Sequence, residues 1–221
     1  MALKIGIVSQ KGGVGKSTLV RALAVEYPRN EFSVKIADMD LRQRTTTEWN
    51  CVRMESNTSP VLAAEPFASV RDVLKQEDHY DLIIFDGAGQ ADSQTLEIAK
   101  ASDFIILPTG VTRDDLIPQI KLAHELRKKG IEKKRLAFAL SRVGSSAAEQ
   151  EAAIEFITDA GYYYAGLIQE RTSIGQCHDS GLAANETKFP SINRTIDQLI
   201  QNLGNRINLI EDTNGKITEA Q

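Results

Sequence analysis

One short loop constrains this chain more than any other segment. Leu3–Ser9 (LKIGIVS) is an apolar run suited to a buried strand, and Thr18–Glu26 (TLVRALAVE) has helical spacing. Between them stands Gln10-Lys11-Gly12-Gly13-Val14-Gly15-Lys16-Ser17-Thr18. Its glycines let the backbone turn tightly and bring N–H groups close to phosphate oxygens. The start of the following helix adds partial positive charge. At this spacing Lys16 reaches β and γ phosphates, and the Ser17 hydroxyl ligates Mg²⁺. The usual loop opens with glycine where this chain has Gln10, but the ending Gly15-Lys16-Ser17 is intact. Thr18 supports the loop or packs in the first helical turn. Lys11 has two readings, a solvated surface lysine or a charge that reaches a phosphate across a dimer interface.

The rest of the chain repeats this strand-to-helix alternation. Further strands are expected at Val34–Asp38, Pro60–Ala64, Asp81–Asp86, Phe104–Pro108, Arg135–Ser141 and near Tyr163–Ile168. Their apolar runs are continuous, as expected when helices cover both sheet faces. The pattern predicts an α/β fold with a doubly wound, mainly parallel sheet. Ser146-Ala-Ala-Glu149 is a capping-box pattern before Ala152–Ile157, and Gly161 is placed to end that helix. Leu116–Lys129 reads as an amphipathic helix, and Thr195–Ile210 as a final helix packed on the core. One domain over residues 1–210 and a polar, flexible tail over 211–221 is the simplest division.

Composition narrows the function classes. Two cysteines, Cys51 and Cys177, cannot build a disulfide framework or a cysteine-rich metal site. Their scarcity fits a reducing cytoplasm. No apolar run approaches a membrane span, and no signal-peptide pattern opens the chain. Lys+Arg is 26 and Asp+Glu is 30, for a formal net charge of -4. That argues against a uniformly basic nucleic-acid binder, though a local basic patch remains compatible with it. His79, His124 and His178 are scattered, without metal-ligand spacing.

Carboxylates stand where nucleotide chemistry needs them. Asp38 and Asp40 close the second expected strand, and ligands of open parallel sheets bind beyond strand C-termini. They could hold Mg²⁺ through water or orient an attacking water. Asp86 closes the apolar run Leu82-Ile83-Ile84-Phe85, where a buried charge needs a partner. The water shell of Mg²⁺ would supply one.

The segment Lys-Gly-Gly-Val-Gly-Lys-Ser-Thr resembles the deviant Walker A motif of the ParA/MinD family of P-loop ATPases. The likeness continues at Ala37-Asp38-Met39-Asp40, Phe85-Asp86-Gly87-Ala88-Gly89 and Leu107-Pro108-Thr109, in family order, over roughly residues 3 to 210. The resemblance implies ATP and Mg²⁺ as cofactors, and the chain carries no Asn-Lys-x-Asp guanine motif. It implies nucleotide contacts from Lys11, Gly12, Gly13, Val14, Gly15, Lys16, Ser17, Thr18, Asp86, Pro108 and Arg142. It assigns the attacking water to Asp40 and the outer shell of the metal to Asp38 and Asp86, with Ser17 bound directly. Lys11, Lys16 and Asp40 form the implied catalytic set. Asp115 aligns with an acidic position of short relatives, or is simply an acidic residue in the first turn of a helix, and Gln169–Arg171 is a base-side or interface segment. After Asp40 the chain departs from the family: many ParA proteins read Asp-Pro-Gln, and this one reads Asp40-Leu41-Arg42-Gln43.

Branches of the family differ in what the dimer grips. Glu211–Gln221 has no apolar face, so the membrane helix of MinD-like proteins is not expected. The resemblance is to short ParA-type ATPases, which form homodimers with ATP, bind non-specific DNA on the nucleoid, and release it when an adaptor protein stimulates hydrolysis. Arg171, Lys188, Arg194 and Arg206 are the candidate DNA contacts. Two alternatives remain: an ATPase that acts on a protein partner without DNA, and an ATP-dependent small-molecule ligase of related fold.

Overall fold

The structure is a computed structural model that describes residues 1–89 and 93–218, with 211–218 as backbone alone. Seven strands alternate with eight α-helices among the described residues: β1 (Leu3–Ile7), α1 (Lys16–Glu26), β2 (Val34–Asp38), α2 (Thr45–Glu55), β3 (Ala63–Pro66), α3 (Val70–Leu74), β4 (Leu82–Asp86), α4 (Ser93–Ala101), β5 (Phe104–Thr109), α5 (Arg113–Lys128), β6 (Leu136–Val143), α6 (Ala147–Asp159), β7 (Tyr163–Gln169), α7 (Thr172–Asp179) and α8 (Pro190–Thr218). They form one sheet in the order β3-β2-β4-β1-β5-β6-β7, parallel throughout.

Burial explains the architecture. Every residue of β2, β4 and β5 is buried, so neither sheet face meets water. Two cores result. Leu19 and Leu23 of α1, Trp49 of α2, Ile174 of α7, and Ile196, Leu199 and Leu203 of α8 cover one face. Val73 of α3, Ile98 of α4, Leu122 and Leu126 of α5, and Ile157 of α6 cover the other. Each such aliphatic side chain contributes about 1.5–3 kcal/mol of burial.

Topology then places the site. The chain leaves β1 for β2 and β3 on one side, returns to β4, and crosses to β5 on the other. Crevices open at this reversal, beyond the strand C-termini. Register sharpens it: Asp86 of β4 pairs with Ile7 of β1 and with Asp38 of β2. The ends of three strands therefore lie at one level, under the loops that follow them.

Several expected boundaries shift. The third strand lies at Ala63–Pro66 rather than Pro60–Ala64; its ladder with β2 begins at Ala63, and Pro60 has no N–H to add a rung. The sixth strand runs on to Val143 through a register irregularity at Ser141/Val143. The last helix begins at Pro190, a residue suited to the first helical position. It continues past Ile210 to Thr218, into the segment read as a tail; residues 219–221 lie outside the described residues. The N-cap bond of that pattern forms: the Ser146 hydroxyl accepts from the Glu149 N–H, and Gly161 follows the helix at φ 76°.

Candidate nucleotide site

Gly13 (φ 73°) and Gly15 (φ 87°) adopt left-handed backbone, which turns the loop sharply before α1. A Cβ on Gly15 would also strike the Ser141 hydroxyl. Lys16, the first helical residue, is 8% exposed. Its Nζ donates to Ser9 Oγ at 3.2 Å and to the Lys11 carbonyl at 3.4 Å. Ser9 Oγ donates to the same carbonyl at 2.6 Å. Gln119 of α5 fixes the strand exit: its Nε2 donates to the Val8 carbonyl, and its Oε1 accepts from the Gln10 N–H. Burial lowers the Lys16 pKa, while Asp86 and then Asp40 favour its charge.

Asp86 faces this lysine from the end of β4. Its Oδ2 accepts from the Thr46 hydroxyl at 2.5 Å, and its buried Oδ1 has no hydrogen-bond partner. Burial pushes its carboxyl up to about 6; Thr46 opposes the rise, Asp38 adds to it, and Ser17 and Lys16 hold it down. An unpartnered buried carboxylate oxygen beside a serine hydroxyl fits a hydrated Mg²⁺. Ser17 and Asp86 are thus the residues that would hold the ion. Among the described residues, no cluster of three His, Cys, Asp or Glu offers another metal site.

Asp38 braces the loop that follows β2. It is buried; its Oδ1 accepts from the Asp40 N–H, and its Oδ2 accepts from the N–H and hydroxyl of Thr47. Both oxygens are engaged in holding the β2–α2 loop, and the side chain does not line the cleft. Asp40 does line the cleft. Its Oδ1 accepts from the N–H groups of Arg42 and Gln43, so the departure from Asp-Pro-Gln still yields an aspartate-anchored turn.

The cleft holds about 320 Å³ and is lined by Gly12, Gly13, Gly15, Lys16, Ser17, Thr18, Asp40, Asp86 and Arg142, among the expected residues. Val14 and Pro108 do not line it. Pro108 is buried inside β5, paired with Ala139. A second cleft of about 690 Å³ shares Gly12, Asp40, Gln43 and Gly89 with the first and is lined by Lys11 and Arg42. There the Lys11 ammonium pairs with Asp115 Oδ1 at 3.0 Å, and Thr112 donates to Asp115 Oδ2 at 2.9 Å. The pair is half-exposed, so it is worth at most about 1 kcal/mol and exchanges readily.

On the other flank Arg142, at φ 57°, donates to the Gly13 carbonyl at 3.1 Å and pairs with Glu170 at 3.0 Å. It thereby ties the phosphate loop to the segment after β7. Arg171 and Lys188 line one cleft of about 680 Å³ between α7 and the start of α8, and Arg194 lines an adjoining one. Arg206 is apart: it is half-buried, its guanidinium 5.1 Å from the Tyr163 ring centroid. Its guanidinium packs on β7, and it lines neither of these clefts.

Sequence reading missed Arg21, Thr45, Thr46 and Gln119. An arginine inside the apolar run LVRALAVE and a triplet of threonines that opens a helix were the signals for the first three. Gln119 sits 111 positions from its partner Val8, and nothing local marks it.

The model of the CobQ/CobB/MinD/ParA nucleotide-binding domain matches residues 5–183. The chain belongs to this family. No curated protein matches its sequence. Among solved structures it is similar to the septum site-determining protein MinD of Pyrococcus horikoshii complexed with Mg-ADP (TM-score 0.73, 19% identity, 92% of this chain and 96% of that one). It is similar to a Cyanothece McdA variant in complex with ATP (TM-score 0.73, 14% identity, 92% and 96%). It is also similar to a putative plasmid partition protein of Borrelia burgdorferi bound to AMPPNP (TM-score 0.74, 18% identity, 93% and 100%). The parallel sheet, its order and the phosphate loop of this chain are those of the ParA/MinD P-loop fold, and its donor set suits ATP and Mg²⁺. Among the described residues no helix is long and apolar enough to cross a membrane.

Proposed function

We propose that this chain is a Mg²⁺-dependent ATPase that dimerises with ATP, binds non-specific DNA as a dimer, and positions a plasmid, chromosome region or protein cargo. An adaptor protein that speeds hydrolysis would reset the cycle, and DNA binding would hold the dimer on the nucleoid. The observation that carries this reading is the separation of two lysines. Lys16 is buried in the phosphate cleft; Lys11 stands outside, in the adjoining cleft, held only by a half-exposed pair with Asp115. A single-chain phosphate site needs the first alone. The second suits a charge that leaves Asp115 for the nucleotide of a second copy, where it would stabilise charge on the transferring phosphate.

Each remaining group then has a role. Lys16 would neutralise the β and γ phosphates; Ser17 and Asp86 would hold Mg²⁺, directly and through its water shell, and the ion would supply positive charge to the phosphates. Asp40 uses Oδ1 to fix its turn and leaves Oδ2 for the attacking water. Losing that positioning should slow hydrolysis about 10²-fold. Asp40→Ala should therefore accumulate an ATP-bound dimer, seen by light scattering after size exclusion. Hydrolysis by this variant at the wild-type rate would disprove the assignment.

Arg171, Lys188 and Arg194 support the DNA reading by sharing one exposed surface. A dimer doubles this patch and adds avidity despite the net negative charge. Binding to random duplex DNA should appear with ATP, not with ADP, and weaken as salt rises. ATP-dependent dimers that ignore DNA would transfer the proposal to a protein-directed switch.

A further inference from the structure

Arg21 lies one helical turn beyond Ser17, so both side chains project from one face of α1. It lines the phosphate cleft, yet it is buried. One amino group donates to the Thr45 carbonyl at 2.7 Å, and its Nε is buried without a partner. Asp86 and Asp38 favour its charge without forming an ion pair with it, while burial opposes that charge. This is an incompletely compensated cation at the edge of a site built for anions.

Its other face lies against an aromatic ring. The guanidinium carbon stands 5.3 Å from the centroid of Trp49, and Arg53 stands 5.7 Å from the same ring. The two arginines differ sharply. Arg53 is paired with Glu186 at 2.7 Å and donates to the carbonyls of Ser59, Pro60 and Gly181. Its position is fixed. Arg21 has one carbonyl and the ring, so it is the cation that an arriving phosphate or Mg²⁺ perturbs.

The helix it grips bonds to two carboxylates at the ends of β2 and β4. Thr45 opens α2; its hydroxyl lies 3.3 Å from that of Ser17, and its carbonyl takes Arg21. Thr46 holds Asp86 and Thr47 holds Asp38. If Ser17 bound the metal it would give up Thr45, and the Arg21–Thr45 bond would remain as the polar tie between α1 and α2, beside their apolar packing.

We propose that Arg21 is a positioning residue for the magnesium–nucleotide, which couples occupancy of the phosphate cleft to α2 through Thr45 and Trp49. The proposal rests on the nucleotide reading of the site. It concerns no residue of the motif that identifies the family, and it makes Trp49 a reporter.

Trp49 is the only tryptophan of the chain, so its fluorescence is read without labelling. Calorimetry with Mg-ADP and Mg-ATP measures binding independently. In the wild type, a saturable change in Trp49 emission should track the calorimetric isotherm. In Arg21→Met that change should vanish and binding should weaken about tenfold, the loss of one charge-assisted hydrogen bond. Arg21→Lys keeps the charge but not the flat stacking surface; it should retain most affinity and lose most of the emission change. It also serves if the methionine variant fails to fold, which circular dichroism would report. Binding by calorimetry with silent Trp49 emission in the wild type would overturn the proposal and leave the nucleotide site standing. Unchanged binding and emission in both variants would overturn it likewise. No nucleotide binding in the wild type would overturn the nucleotide reading and this proposal together.

Discussion

Lys16→Ala is expected to weaken ATP binding at least about 100-fold and to bring hydrolysis to background. The reason is the state of the ammonium before any ligand arrives. It is 8% exposed and bonded only to two neutral oxygens, Ser9 Oγ and the Lys11 carbonyl. Burial disfavours its charge, and Asp86 and Asp40 sustain it through space. Phosphate oxygens convert this deficit into charge-assisted hydrogen bonds, each worth about 1.5–3 kcal/mol. Two of them account for a factor of roughly 10²–10⁴. The fold should survive, because the alanine removes a buried cation and strands no carboxylate: the Asp86 partner, Thr46, stays in place. Calorimetry for affinity and thermal melting for stability separate the effects. Wild-type affinity in a folded Lys16→Ala protein would remove the phosphate cleft from the account.

What could be read from the sequence follows from how local each feature is. The phosphate loop is local. Its turn is made by Gly13 and Gly15, and its lysine opens the helix that follows directly, so the order of residues carries the geometry. The parallel sheet was legible for a similar reason: strands buried on both faces leave continuous apolar runs such as Leu82–Phe85. The bonds of Asp38 were not legible. A carboxylate at a strand end looks the same in sequence with or without a partner at Thr47, nine residues on, and only the folded loop shows that bond. Arg206 shows the same limit. Helical spacing puts it on α8, but its packing against Tyr163 on β7, 43 residues earlier, is visible only in the folded chain. Lys11 stands between these cases. Its motif position suggested an unusual role, while its partner Asp115 lies 104 residues away on α5.

Asp86→Asn should stabilise the nucleotide-free protein and abolish its response to Mg²⁺. In the folded chain the Asp86 carboxyl titrates near 6, chiefly through burial, with Lys16 the smallest influence among its causes. In the unfolded chain it titrates near about 3.9. Between these values the folded state holds a proton that the unfolded state has released, so this group favours folding at low pH. That contribution fades as pH rises through about 6, and above it the ionised, half-bonded carboxylate costs on the order of 3 kcal/mol. Asparagine carries no charge, and its amide oxygen can still accept from the Thr46 hydroxyl. In thermal melts with chelator at pH 7.5, the variant should therefore be the more stable by about 1–3 kcal/mol, or several degrees for a chain of this size. The gap should narrow by pH 5, where Asp86 is largely protonated. With Mg-ADP the order should reverse, since only the carboxylate holds the water shell of the ion. A nucleotide-free Asp86→Asn protein that melts below the wild type at pH 7.5 would mean that Asp86 is already compensated, and that the carboxylate is not held in reserve for a metal.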